Sequence, residues 1–257
     1  MNARDSSGGV RRLLDIGAEM AAEGAAAAIG LCIGGAHGEV LGAALSPALS
    51  NAMRQVVGEF AERTLSKREA RRIGTVLCEA ATVTQQRLAR GDEVRSDGFL
   101  DAQADKASAA EEIFESVLLK AKQEAQEHKL KYLANAFANA AFSKLPTEDL
   151  HAVITIAERM SYRQYGLLAL AKRCDEFGFD LSTLSGLDGR TSNQRVQFLV
   201  REWSELRSPA IAVVQAPKGL EGPRIFLTSV GEACFELLGL SAYPAEEIRA
   251  LVALVRR

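Results

Sequence analysis

The side chains with the widest chemical repertoire stand apart from one another in this chain. His37, His128 and His151 are separated by long stretches and no HExxH joins two of them, so the spacing that lets two imidazoles on one helix face share a metal is missing. Cys32, Cys78, Cys174 and Cys234 form no CxxC pair and read as isolated thiols that pack as small hydrophobes. No GxSxG elbow, no P-loop and no GxGxxG led by a strand is present, since "GLCIGG" follows a run of alanines. "EHK" at 127–129 has the residue types of the end of a nuclease motif, but it lies in a helical pattern without the strand such a site uses. The expectation is a protein that is not an enzyme and holds no cofactor or metal.

Charge offers a second kind of chemistry. Arg190, Arg195, Arg201, Arg207, Lys218 and Arg224 cluster in the C-terminal third and are the candidates for contact with nucleic-acid phosphate. Glu202, Glu205 and Glu221 dilute them, and the formal net charge of the whole chain is −2, which argues against a dedicated nucleic-acid coat. "REARR" at 68–72 reads as a solvated helix face.

The third pattern is physical. Ala26, Gly30, Gly34, Gly38, Gly42 and Ser46 fall four residues apart, a slowly winding strip of small residues if the segment is helical. With Gly35 included, the five glycines would cost a solvated helix roughly 5 kcal/mol relative to alanine, at about 1 kcal/mol each. Close approach of another backbone can offset that penalty, as small-xxx-small faces do between membrane helices. From Gly24 to Met53 the only acidic residue is Glu39, so the segment 24–53 is a candidate for self-association or bilayer contact.

The elements that position these residues are helical almost throughout. Residues 1–9 read as a flexible arm, and a helical pattern runs from Val10 to Thr64 with Pro47 as a kink or break. Ser66 with Glu69, Ser108 with Glu111 and Ser161 with Gln164 are capping-box spacings, and Gly91 is a stop. Residues 91–106 read as a linker or surface loop. The helix from Ser108 is expected to be the longest, running on until just before Pro146, and Thr147 starts another. Strand patterns occur only at "AIAVVQ" (210–215) and "RIFL" (224–227), after which Thr228 is an expected N-cap and Pro244 opens a last helix. The fold class is therefore mainly α: a helical bundle over 10–175 and a winged-helix-like α/β module over 176–257.

"KLKYLANAFANAAF", "AERMSYRQYGLLALAKR" and "RIFLTSVGEACFELLGL" together resemble the helical abortive-infection alpha-type proteins of bacteria and their mobile elements. The positions that carry the resemblance are Leu133, Ala134 and Asn135, then Met160, Ser161, Leu167 and Leu168, then Leu227, Thr228, Gly231 and Phe235. The resemblance implies a role in phage defence, in which infection triggers growth arrest or death of the host cell. It brings no catalytic residues.

With 257 residues, 47% hydrophobic and 25% charged, the chain has the composition of folded proteins. Its isolated cysteines and charged start lead to the expectation of a reducing, cytoplasmic location, and the segment 24–53 to that of association with the inner membrane. The expected function is a non-enzymatic defence or toxin-type effector that forms a homo-oligomer through the glycine strip and perturbs a membrane when a protein trigger acts on it. A winged-helix DNA-binding regulator and a soluble helical adaptor are the alternatives.

Overall fold

Three serines write helix starts into this chain. At Ser66, Ser108 and Ser161 the hydroxyl accepts the N–H of the residue three positions on, and the Glu or Gln there accepts the serine N–H in return. Each box satisfies two of the backbone donors that a helix start leaves unpaired. A computed structural model describes residues 11–12, 47–102, 106–180, 183–184, 187, 193–207, 211–215 and 224–256. Among them are nine α-helices and one two-stranded sheet, so the chain is mainly α. It divides between Glu158 and Arg159 into two units.

The first unit holds α1 (Pro47–Glu62), α2 (Lys67–Ala89), α3 (Ala109–Gln123), α4 (Leu130–Ala140) and α5 (Thr147–Arg159), the last of which ends at the division. α2 packs along α4 and against α3, and α1 lies on α3. Ile73, Val76, Leu77, Ile113, Val117, Leu118 and Leu133 are sealed from water at this junction, and the Phe114 and Phe137 rings stack with centroids 4.0 Å apart. Thr75 and Thr84 are buried in α2 without an unmet hydroxyl, since each donates to the carbonyl four residues back.

α2 stops as expected at Gly91, whose φ of +86° belongs to the left-handed region. Gly91 N–H donates to the Leu88 carbonyl and Asp92 N–H to that of Arg87, the paired closure that ends a helix on a glycine. The segment beyond is a largely exposed loop, as expected, but it is pinned to the fold. Phe99 and Leu100 are buried, Arg95 N–H donates to the Ala141 carbonyl, and Arg95 Nη1 donates to the Leu145 carbonyl.

The single longest helix expected from Ser108 is two helices, α3 and α4, joined by a 3₁₀ turn at Glu127–Lys129. The reason is phase. From Ala121 to Leu130 a continuous helix would advance about two and a half turns, leaving the two buried faces on opposite sides. The break turns Leu130, Leu133 and Phe137 back to the core, and α2 is the longest helix among the described residues. Arg72, 9% exposed, donates to the Lys122 carbonyl in the last turn of α3. Glu124 and Lys129 pair at 2.5 Å across the break.

The second unit holds α6 (Tyr162–Lys172), α7 (Gln194–Arg207), β1 (Ala212–Gln215), β2 (Arg224–Leu227), α8 (Ser229–Leu237) and α9 (Ala245–Val255). Every residue of α6 from Gln164 to Ala171 is buried. A helix apolar on all sides must be surrounded, and α7, α8, α9 and β2 all pack on it. α6, placed by sequence in the N-terminal bundle up to residue 175, thus lies in the second unit. β1 and β2 pair antiparallel with Ala212 opposite Leu227 and Gln215 opposite Arg224. Thr228 caps α8 as expected, its Oγ1 accepting the Gly231 N–H.

Candidate functional site

The small residues Ala26, Gly30, Gly34, Gly38, Gly42 and Ser46 lie outside the described residues, as do Cys32, His37 and Glu39. What is described is α1, which begins at Pro47, the residue after Ser46. Leu49, Ala52, Met53, Val56, Val57 and Phe60 repeat at helical spacing along α1 and are all buried. Asn51, Arg54, Gln55, Glu59 and Glu62 are exposed. Arg63, just past the helix, pairs with Glu115 of α3 at 2.6 Å and lies 4.1 Å from the centroid of the Phe60 ring.

This anchorage trims the segment 24–53. Its last residues, from Pro47 on, belong to α1, and Leu49 and Met53 are side chains of the core. Withdrawing them to water would cost about 2 kcal/mol each. The part of the segment that precedes α1 is 24–46, which lies outside the described residues. Among the described residues no helix is long and apolar enough to cross a membrane.

The basic residues named for nucleic-acid contact do not converge on α7. Arg195, Arg201 and Arg207 are exposed on this helix. Their equal spacing in sequence sets neighbouring pairs about 120° apart around its axis, so they share no face. Arg201 is held by Glu205 at 3.0 Å. Glu202 between them faces inward, taking Arg163 and the Ser161 hydroxyl. Arg224 opens β2 opposite Gln215, while Arg190 and Lys218 lie outside the described residues. In the first unit, Lys67, Arg68 and Arg71 are exposed on the first turns of α2.

The positions that carry the abortive-infection resemblance have definite local tasks. Leu133 and Ala134 are buried in α4, Ser161 caps α6, and Leu167 and Leu168 are buried within it. Thr228 and Gly231 close on one backbone oxygen: Thr228 donates to the Ile211 carbonyl through its N–H at 3.1 Å and its hydroxyl at 3.2 Å. A Cβ on Gly231 would lie 2.2 Å from that same oxygen.

Sequence reasoning missed a polar knot in the second unit. Tyr162 and Tyr243 both donate to Glu247, at 2.9 and 3.1 Å, and Gly166 leaves room for the Tyr243 hydroxyl. Burial, with Tyr162 and Glu247 beside it, pushes the Tyr243 hydroxyl far above the usual phenol range, so it stays a proton donor. The signal was weak, because Tyr162 and Glu247 are far apart in sequence.

Of the thiols, Cys78 and Cys234 are buried as expected, whereas Cys174 is partly exposed. Among the described residues no group of three or more His, Cys, Asp or Glu side chains converges to hold a metal. No family model, curated protein or solved structure matches this chain.

Proposed function

We propose that this chain is a non-enzymatic effector of anti-phage defence that associates with itself through Ala26, Gly30, Gly34, Gly38, Gly42 and Ser46 and perturbs a membrane when infection triggers it. The observation that carries this reading is the four-residue register of those small residues immediately before a helix, α1, whose apolar face is locked into a folded unit. A strip that weakens a helix in the monomer is stabilised where a second copy or a bilayer packs against it. A helix over 24–46 would be about 34 Å long, enough for a hydrocarbon core of about 30 Å. The resemblance to abortive-infection alpha-type proteins points the same way. The finer description of the C-terminal unit as winged-helix-like rests on the order α7, β1, β2, α8 alone.

A soluble helical adaptor is the second reading. It is favoured by large apolar side chains left in water on the second unit, Phe198 at 49%, Phe226 at 43% and Val230 at 37% exposure.

The test is to express wild type and Gly34→Leu, fractionate the cells and follow membrane potential with a voltage-sensitive dye during phage challenge. The effector reading expects wild type in the membrane fraction with loss of potential, and neither for Gly34→Leu. If both stay out of the membrane fraction and leave the potential intact, the effector reading is wrong and the adaptor reading takes its place.

A further inference from the structure

Arg249 of α9 and Arg256, which caps its C-terminal end, stand about two turns apart and so project to the same side of the helix, with Val252 and Ala253 between them. Facing them is the 3₁₀ turn Cys174–Phe177, which ends on Gly178 at a φ of +54°. Between α9 and this turn is an open cleft of about 470 Å³, lined by Glu176, Phe177, Arg249, Val252, Ala253 and Arg256. That is within the roughly 300–1,000 Å³ of small-molecule sites.

The charges that line it do not balance. Arg173 holds Glu176 with two parallel bonds, Nε to Oε2 and Nη2 to Oε1, both 2.8 Å, and this grip keeps the carboxylate below its usual range. Arg173 Nη1 donates to the Tyr243 carbonyl, so this guanidinium is fully engaged. Arg256 donates to the Gly178 carbonyl at 2.7 Å and stands at the C-terminal end of α9, where helix carbonyls favour a cation. Arg249 is exposed, 5.9 Å from the centroid of the Phe177 ring, which Arg173 approaches to 5.2 Å. The lining itself carries Arg249 and Arg256 against Glu176, which Arg173 grips and Arg249 also attracts, so positive charge exceeds negative along the cleft, beside an apolar floor.

We propose that this cleft binds a small phosphate-bearing molecule with a flat apolar body, of nucleotide size. Its phosphate oxygens accept hydrogen bonds from Arg249 and Arg256, whose planar forks suit a phosphate. Its apolar body covers Val252, Ala253 and the open part of Phe177. The surplus charge asks for the anion, and the alkyl and aromatic lining asks for more than a bare anion. The inference goes beyond the defence reading and stands without it.

Adenosine monophosphate titrated into the full-length chain, with methyl NMR signals of Val252 and Ala253 as reporters, tests it. Saturable shifts of these two signals are expected. Arg249→Gln, at an exposed position, should weaken binding about tenfold, the loss for one charge-assisted contact. Lys144→Gln, a change of the same charge on the first unit, should leave it unchanged. The proposal is overturned if the two methyls do not respond, if both variants weaken binding equally, or if inorganic phosphate binds as tightly as the nucleotide. An acidic peptide binding more tightly than the nucleotide would also overturn it, reassigning the cleft to a protein segment.

Discussion

The α-carbon of Gly231 comes so close to the Ile211 carbonyl that a Cβ there would sit 2.2 Å from the oxygen. Ile211 O is at the same time the acceptor for the Thr228 N–H and hydroxyl, so it cannot retreat without breaking two hydrogen bonds. Gly231→Ala should therefore destabilise the chain by about 3 kcal/mol, at the upper end for overpacking a well-packed site. Gly58→Ala makes the contrast, because nothing lies within 4 Å of its Cβ position in α1. It should stabilise by about 0.5–1 kcal/mol through helix propensity. Urea unfolding of both variants decides the matter, and equal midpoints would refute it.

The ion pair across the break between α3 and α4 is nearly dry, with Lys129 at 4% and Glu124 at 9% side-chain exposure. Glu124→Gln leaves the Lys129 ammonium buried without that carboxylate, its Nζ still donating to the Glu158 carbonyl. A loss of about 3 kcal/mol is expected. Replacing both partners, Glu124→Leu with Lys129→Met, should recover most of that loss, because no buried charge remains. A double variant as unstable as the single one would show that the pair itself, and not the orphaned charge, sets the energy.

Asp97 brings a dependence on pH. Its carboxylate is gripped by Arg95, which holds its pKa at about 2 against about 3.9 for a free aspartate. On acidification the unfolded chain takes up this proton first. The contribution to stability is therefore complete above pH about 4 and is lost as pH falls from there towards 2. Asp97→Asn should remove that part of the acid dependence and leave stability above pH 5 only slightly lower, as urea midpoints measured across this range would show. An unchanged acid slope would count against the assignment.

The thiols should differ in reactivity. Burial pushes Cys234 up to about 12, so almost none of it is thiolate at pH 8, and Cys78 is sealed in α2. Cys174 is partly exposed beside Asp175. Brief treatment of the native chain with iodoacetamide, followed by peptide mass mapping, should find Cys174 modified ahead of both. Modification of Cys234 at a rate equal to that of Cys174 would contradict the packing described.

Local signals in the sequence set the ends of helices and the chemistry of their starts. The serines at 66, 108 and 161, Thr228 and Gly91 did so because a cap is built within a few residues of chain and needs no distant partner. The mainly α class followed from apolar periodicity for the same reason. Neighbours across the fold decided the rest. The break after Gln123 answers to where the core lies, and α6 belongs with the second unit because four elements distant in sequence enclose it. Arg249 and Arg256 are an ordinary pair at the end of α9 until Phe177 is brought against them. Capping energies depend on adjacent residues, whereas burial, charge surplus and close backbone approach depend on which distant segments meet, and only the packed structure decides that.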